Sequence, residues 1–265
     1  MLTTERARYW LRRWDRQQEF YLADREERFA VIADVVEAAA ERPDPLVVDL
    51  GVGPGSLAVR LLERLPQAQV VGIDADPLLL GLARAGNAER RGLRLVDRDL
   101  REPGWVDALA LEREPDAFVS TTALHWLTRE QLGAVYAACA AALRPGGVLV
   151  NGDHLFEGSS RPRLDTLTRI VARRRAARIS TPDGEDWTAW WRAVEDAPEL
   201  ADLVAARGPH GVEHQVDDVP TLHDHVSTLR QAGFAEAGTV WQHGDDRVLV
   251  AAASARSRTR VSALP

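Results

Sequence analysis

The segment Val48-Asp49-Leu50-Gly51-Val52-Gly53-Pro54-Gly55-Ser56 constrains this chain more than any other. A short apolar run empties into alternating glycines and then into a helical pattern. Glycine adopts the left-handed backbone that a tight strand-to-helix turn demands, and it lets main chain approach a ligand closely. The helix that follows offers unpaired N–H groups in its first turn. Such a turn belongs to folds in which a buried strand hands over to a packed helix.

The rest of the chain repeats that alternation. Strand-like apolar runs at 46–50, 70–73, 93–96, 117–120 and 148–151 are interleaved with helical patterns at 56–64, 77–90 and 129–143. This period predicts right-handed crossovers and a parallel sheet. Two later runs, 237–242 and 247–252, predict a hairpin around His243-Gly244-Asp245-Asp246. The expected fold is α/β, a Rossmann-like doubly wound and mostly parallel seven-stranded sheet with an antiparallel C-terminal hairpin and a helical cap. In the first forty residues Tyr9, Trp10, Trp14, Phe20, Tyr21, Phe29, Ile32, Val35 and Val36 recur at helical spacing, which predicts two amphipathic helices broken near Ala23 and Asp24. Residues 155–220 read as inserted helices, either a lid over the sheet or a peripheral helical pair. The expected division is an N-terminal cap at 1–42, a core at 43–154 and 221–253, a lid at 155–220 and a disordered tail at 254–265.

Composition excludes whole classes of chemistry. The chain has no lysine, so all 33 basic residues are arginine. That rules out a lysine Schiff base, a pyridoxal-phosphate anchor and a phosphate-loop lysine. A net charge of -7, without an arginine-dense arm carrying aromatics, argues against nucleic acid or an anionic membrane as partner. The run Arg173 to Arg175 reads as a solvated helix face. Cys139 is the single cysteine and reads as a small buried hydrophobe. The first residues are charged and amphipathic, and no apolar run is long enough to span a bilayer, so a cytoplasmic protein, monomer or homodimer, with a small-molecule partner is expected.

The ligand class follows from details of the turn. Val70-Val71-Gly72-Ile73-Asp74 ends the second strand in a carboxylate, where a doubly wound sheet brings it beside the glycine loop to accept ribose hydroxyls. Asp76 before Pro77 suits a helix cap. A dinucleotide fingerprint needs Gly-x-Gly-x-x-Gly, whereas here Gly51, Gly53 and Gly55 alternate and Ser56 stands at the third glycine position. Asp49 before the loop suits an ammonium group and would repel a pyrophosphate.

With these motifs the chain resembles class I S-adenosylmethionine-dependent methyltransferases over roughly residues 25–252. The resemblance implies S-adenosyl-L-methionine as cofactor, with S-adenosyl-L-homocysteine as product. It implies cofactor contacts from Asp49, Gly51, Gly53, Gly55, Asp74, Ala75, Asp99, Leu100 and Thr121. Asp99 would meet the adenine amino group; Arg98 replaces the glycine common before it, and Asp97 is an alternative. The Leu143-Arg144-Pro145-Gly146-Gly147 turn also matches. Ala123-Leu124-His125-Trp126 resembles a stretch in trans-aconitate methyltransferase-like proteins, which makes a carboxylate acceptor one option.

Methyl transfer needs positioning and exclusion of water, and a hydroxyl or protonated amine acceptor also needs a base. His125 and His154, just beyond strands four and five, are the catalytic candidates; His210 and His214 follow, and His223, His225 and His243 are expected at the surface. Trp14, Tyr21, Trp126, Trp187 and Trp191 are the candidate substrate-binding residues, with Pro182 and Gly184 as hinge-compatible neighbours in the insertion. Asp153, His154 and Glu157 lie too close on one segment to make a clear cation site, and no metal is expected. Two other functions share parts of this pattern: a nicotinamide-dependent oxidoreductase, and a non-catalytic protein that binds an adenosyl ligand.

Overall fold

The structure is a computed structural model, and it describes residues 2–179, 185–207 and 219–255. Pro182, Gly184, His210, His214 and the tail from 256 onward lie outside the described residues. The chain opens with α1 (Thr4–Tyr21) and α2 (Arg25–Ala40), which part at the expected break. Then come β1 (Leu46–Leu50), α3 (Ser56–Arg64), β2 (Gln69–Asp74), α4 (Pro77–Gly86), β3 (Leu93–Asp97) and the short α5 (Trp105–Ala108). The second half runs β4 (Ala117–Thr121), α6 (Arg129–Ala142), β5 (Val148–His154), α7 (Pro162–Ile179), α8 (Trp187–Glu195), α9 (Ala201–Arg207), α10 (Leu222–Gln231), β6 (Glu236–His243) and β7 (Asp246–Ala252).

The seven strands form one sheet in the order β3-β2-β1-β4-β5-β7-β6. β1 to β5 pair in parallel, and β7 pairs antiparallel with both β5 and β6. The reversal between β1 and β4 opens a crevice beyond their carboxyl ends, where open α/β sheets bind ligands. β1 is buried on both faces, which is why its sequence is a continuous apolar run without alternation. One face packs Leu50, Phe118 and Leu149 against Tyr136 of α6 and Leu229 of α10. The other packs Val47, Val119 and Val150 against Phe29 and Ile32 of α2 and Leu61 of α3.

Two boundaries differ from expectation. The helix expected over 77–90 stops at Gly86, because Asn87 turns its main-chain and side-chain amides back onto the Ala83 carbonyl, 3.0 Å each. β5 runs three residues past 151, to His154, because β7 continues to pair with it as far as Asp246. A third cluster lies off the sheet, where Trp10 and Trp14 of α1 and Trp190 of α8 pack over Leu78 and Leu82 of α4. Of the inserted helices, α8 therefore rests on α1 and α9 on α4, whereas α7 lies against the β6–β7 hairpin, where a Cβ on Gly244 would meet the Thr168 carbonyl at 2.6 Å. Among the described residues no helix is long and apolar enough to cross a membrane.

Candidate functional site

A cavity of about 740 Å³ occupies the crevice. Its floor is the turn after β1. Gly51, Gly53 and Gly55 all have positive φ, at 68°, 52° and 93°. At Gly51 the demand is also steric, since a Cβ there would sit 2.3 Å from the Ala123 Cβ in the loop after β4. Gly51 and Gly53 line the cavity; Gly55 stands behind the turn at the start of α3 and borders a separate groove.

Two carboxylates govern this end. Asp74 closes β2 and accepts from the Gly53 N–H at 2.7 Å and the Asp76 N–H at 2.9 Å, which ties the glycine turn to the second strand. Burial raises its carboxyl to about 6, against the pull of those amides. Asp49 lies beneath the turn, 1% exposed, and neither carboxyl oxygen has a hydrogen-bond partner among the described residues. Burial and then the neighbouring Asp74 raise it to about 8. An acid so placed is costly unless a cationic group or a proton answers it.

Asp74, Ala75, Asp99, Leu100 and Thr121 all line the cavity. Asp99 is held by the Arg101 side chain at 2.6–2.9 Å; burial pushes its carboxyl up, but that guanidinium outweighs it and the net shift is downward. Asp97 is exposed and does not line the cavity. Asp76 caps α4 as expected, accepting from the Leu78 and Leu79 N–H groups at 2.9 and 3.1 Å.

The opposite wall carries both catalytic candidates. His125 sits on a single helical turn, Leu124–Trp126, and its Nδ1 lies 2.8 and 2.9 Å from the two oxygens of Asp153. Asp153 is fully buried and also accepts from the His154 N–H at 2.8 Å. Burial pushes its carboxyl up, yet His125, Arg28 and His154 outweigh that and hold it below the usual range. A carboxylate at Nδ1 fixes the tautomer: the neutral ring carries its hydrogen there and keeps its lone pair on Nε2. His154 also lines the cavity, with Nδ1 3.4 Å from Asp245. Burial pushes His154 down, but Asp245, with help from Asp246 and Asp153, lifts it above its ordinary value.

Trp14, Tyr21, Trp126, Trp187 and Trp191 all reach the cavity wall. Trp14 packs against Trp187 with ring centres 5.5 Å apart, and Trp187 against Trp191 at 5.6 Å. The Tyr21 hydroxyl accepts from the Trp187 N–H at 3.1 Å, and Arg207 of α9 both donates to Asp76 at 2.7 Å and covers the Trp191 ring at 4.0 Å. The inserted helices are thereby tied to the rim of the glycine turn.

Several site features escaped the sequence. Arg25 and Arg28 of α2 are buried. Arg25 pairs with Asp15 at 2.9 Å beside the cavity, and Arg28 joins Asp246 of β7, Thr121 and the Gly152 carbonyl. Thr122 takes a left-handed φ of 50° in the cavity wall, a conformation no local motif announces in a β-branched residue. His225, expected at the surface, is a correction: it is 1% exposed, and its Nδ1 lies 2.7 Å from the Tyr136 hydroxyl. Its helix, α10, packs its histidine face onto α6, and the apolar residues around it gave no sign that a polar one shared that face. His223 is exposed, and His243 is partly exposed beside Asp24 at 3.0 Å. Among the described residues no three His, Cys, Asp or Glu side chains converge on one point, because Asp153 turns to His125 and Glu157 to Arg247 at 2.6 Å.

Comparison with known proteins fits this geometry. Residues 47–147 match the family model described as a methyltransferase domain. A trans-aconitate 2-methyltransferase of Deinococcus radiodurans is 34% identical over 146 residues, 53% of this chain and 51% of that protein. One from Acidovorax sp. (strain JS42) is 30% identical over 198 residues, 74% of this chain and 67% of the relative. The chain thus spans about half the length of the first of these relatives. In fold it is similar to human N-acetylserotonin methyltransferase in complex with SAM, with a TM-score of 0.53 and 16% identity over 91% of this chain and 56% of that one. The glycine cradle at Gly51 suits the close main-chain contacts of S-adenosylmethionine, whereas the buried, unanswered carboxylate of Asp49 is not among the residues that line the cavity, and the chain belongs to the class I S-adenosylmethionine-dependent methyltransferases.

Proposed function

We propose that the protein moves a methyl group from S-adenosylmethionine to an oxygen or nitrogen atom of a small organic acceptor with an aromatic or carboxylate-bearing frame. One observation carries this reading: a single cavity joins the glycine turn and the Asp74 and Asp99 carboxylates to a histidine braced by a buried aspartate. When bound, the cofactor supplies an electrophilic methyl group on a sulfonium. Asp74 would hold the ribose hydroxyls, Asp99 the adenine amino group, and Asp49 would balance the ammonium of the amino-acid moiety.

His125 is the proposed base. The proton of an acceptor O–H or N–H passes to its Nε2, the electron pair stays on the acceptor atom as nucleophile, and Asp153 balances the imidazolium charge. A carboxylate acceptor would need no such base, so the paired histidine and aspartate favour a hydroxyl or amine. Charge balance points the same way, since Arg25 is matched by Asp15, His154 by Asp245, Arg101 by Asp99 and, at the longer distance of 3.7 Å, Arg98 by Glu102. The names of the trans-aconitate relatives favour a carboxylate, which keeps that acceptor as the second reading. The helices of residues 155–220 are proposed as the cover, with Trp187 and Trp191 excluding water from the acceptor.

Calorimetry is expected to show S-adenosylhomocysteine binding far more tightly than either nicotinamide dinucleotide; equal or reversed affinities would overturn the cofactor assignment. Mass spectrometry of the denatured protein would identify a carried acceptor. With that acceptor, His125→Ala should lower turnover by about 10²- to 10⁴-fold with cofactor affinity little changed. Turnover near that of the unaltered protein would remove His125 as the base.

A further inference from the structure

The first residue of α2 puts a buried charge into the cavity wall. Arg25 is 4% exposed and lines the cavity beside Phe29, Ser56 and Leu57, but it does not border the groove behind Gly55. Its guanidinium lies over the Phe29 ring, 4.7 Å from the centre. Its Nη1 is 2.9 Å from an Asp15 oxygen, and Arg25 makes no side-chain hydrogen bond of regular geometry to any described residue. A guanidinium stays charged and carries more N–H donors than one carboxylate can satisfy, so burying it this way is costly unless a ligand brings further acceptors.

Asp15, for its part, does not depend on Arg25. It accepts from the Ser56 hydroxyl at 2.8 Å and from Arg60 at 3.4 Å, and Arg60 pairs with Glu26 as well. Charge in this wall is therefore matched, two guanidinium groups against two carboxylates, while the donors of Arg25 are in surplus. Ser56 and Leu57 add to that surplus: they open α3, and no capping side chain takes their N–H groups.

Donors in excess without net charge suit an anion that carries its own counter-charge. A lone carboxylate would leave the wall with an unmatched negative charge. The amino-acid end of S-adenosylmethionine holds a carboxylate beside an ammonium, and so asks for N–H donors more than for a net cation. We propose that Arg25, with the first turn of α3, receives that carboxylate. The contact makes the cavity read the amino-acid end as well as the adenosine, and a ligand that keeps the adenosine but loses the carboxylate loses the contact. This inference rests on S-adenosylmethionine as cofactor and is independent of which residue acts as base and of which acceptor is methylated.

The test is calorimetry on the full chain with S-adenosylhomocysteine, with its decarboxylated analogue, which keeps the amine, and with methylthioadenosine, which keeps neither group. The unaltered protein should bind S-adenosylhomocysteine about ten- to a hundredfold more tightly than the decarboxylated analogue. Arg25→Gln, in which Asp15 still has Ser56 and Arg60, should remove most of that preference while leaving the affinity for methylthioadenosine unchanged. A merely structural residue would lower all three affinities together. Arg25→Lys keeps a cation beside Asp15 with fewer donors, so it should keep only part of the preference, and it decides the matter if Arg25→Gln does not fold. If the unaltered protein binds S-adenosylhomocysteine and its decarboxylated analogue equally, or if the folded variants keep the full preference, the proposal is overturned and the cofactor assignment stands. No binding of S-adenosylhomocysteine by the unaltered protein would overturn both.

Discussion

The two ends of the cavity are built by different means. At the β1–β2 end the ties are short in sequence: the Gly53 amide reaches Asp74 over 21 positions, and the Asp76 amide reaches the same carboxylate over two. At the β4–β5 end His125 reaches Asp153 over 28 positions but Arg28 reaches Asp246 over 218, and in the cover Tyr21 reaches Trp187 over 166. The first end is main chain folded around one carboxylate. The second is side chains that meet only when distant segments pack. A cofactor shared by a whole family can be held by the first kind, and an acceptor peculiar to one chain needs the second.

The largest test of this contrast strikes the long-range end. Arg28→Ala would leave Asp246 buried without its cation, and urea unfolding should show a loss of about 3 to 5 kcal/mol. A loss below about 1 kcal/mol would mean that the long tie is incidental. The next test concerns the short-range end and pH. Asp49 and Asp74 have folded-state values of about 8 and about 6, both raised above the usual carboxylate. Their contribution to the stability of the ligand-free protein is thus present below about pH 4 and is lost as pH rises through 6 to 8. A cationic ligand reverses the preference by favouring ionised Asp49. Cofactor affinity should therefore rise between pH 6 and 8, by up to about tenfold per unit, with proton release visible by calorimetry in buffers of different ionisation heat. Asp49→Asn should flatten that slope, and a pH-independent affinity in the unaltered protein would refute the role of Asp49. The smallest effect is expected at the join between the two ends: Arg207→Ala should lower turnover only a few-fold while making residues 155–220 easier to cut by protease. S-adenosylhomocysteine should protect that region in the unaltered protein, and cleavage indifferent to ligand in both would leave the insertion as static scaffold.

What the sequence disclosed follows the same division. The glycine turn, the end of β2 and the strand periodicity announce themselves because their causes lie within a few residues: positive φ, a terminal carboxylate, a run buried on both faces. The bounds of β1 and α3 could be read directly for that reason. His125 and Trp126 were legible as crevice residues because they follow a strand in a sheet of known handedness. Arg28, by contrast, shares the charged start of α2 with Arg25, Glu26 and Glu27, and nothing near it marks its guanidinium for burial against a residue of the last strand. His225 shares a helix turn with His223, yet one is buried and the other exposed, a difference set by where α10 meets α6. The left-handed backbone at Thr122 and the close approach of the neighbouring Ala123 to Gly51 become visible only in three dimensions.

The Arg28 tie also has a meaning in time. The ribosome makes α2 early, and the carboxylate that answers its buried guanidinium emerges more than two hundred residues later. Until then the α2 face that covers β4 and β5 holds a guanidinium without the carboxylate that accepts its hydrogen bonds, and docking that helix is the more costly for it. The bonds of the glycine turn need no residue beyond Asp76, whereas β5, on which α2 packs, gains its second neighbour only when β7 pairs with it.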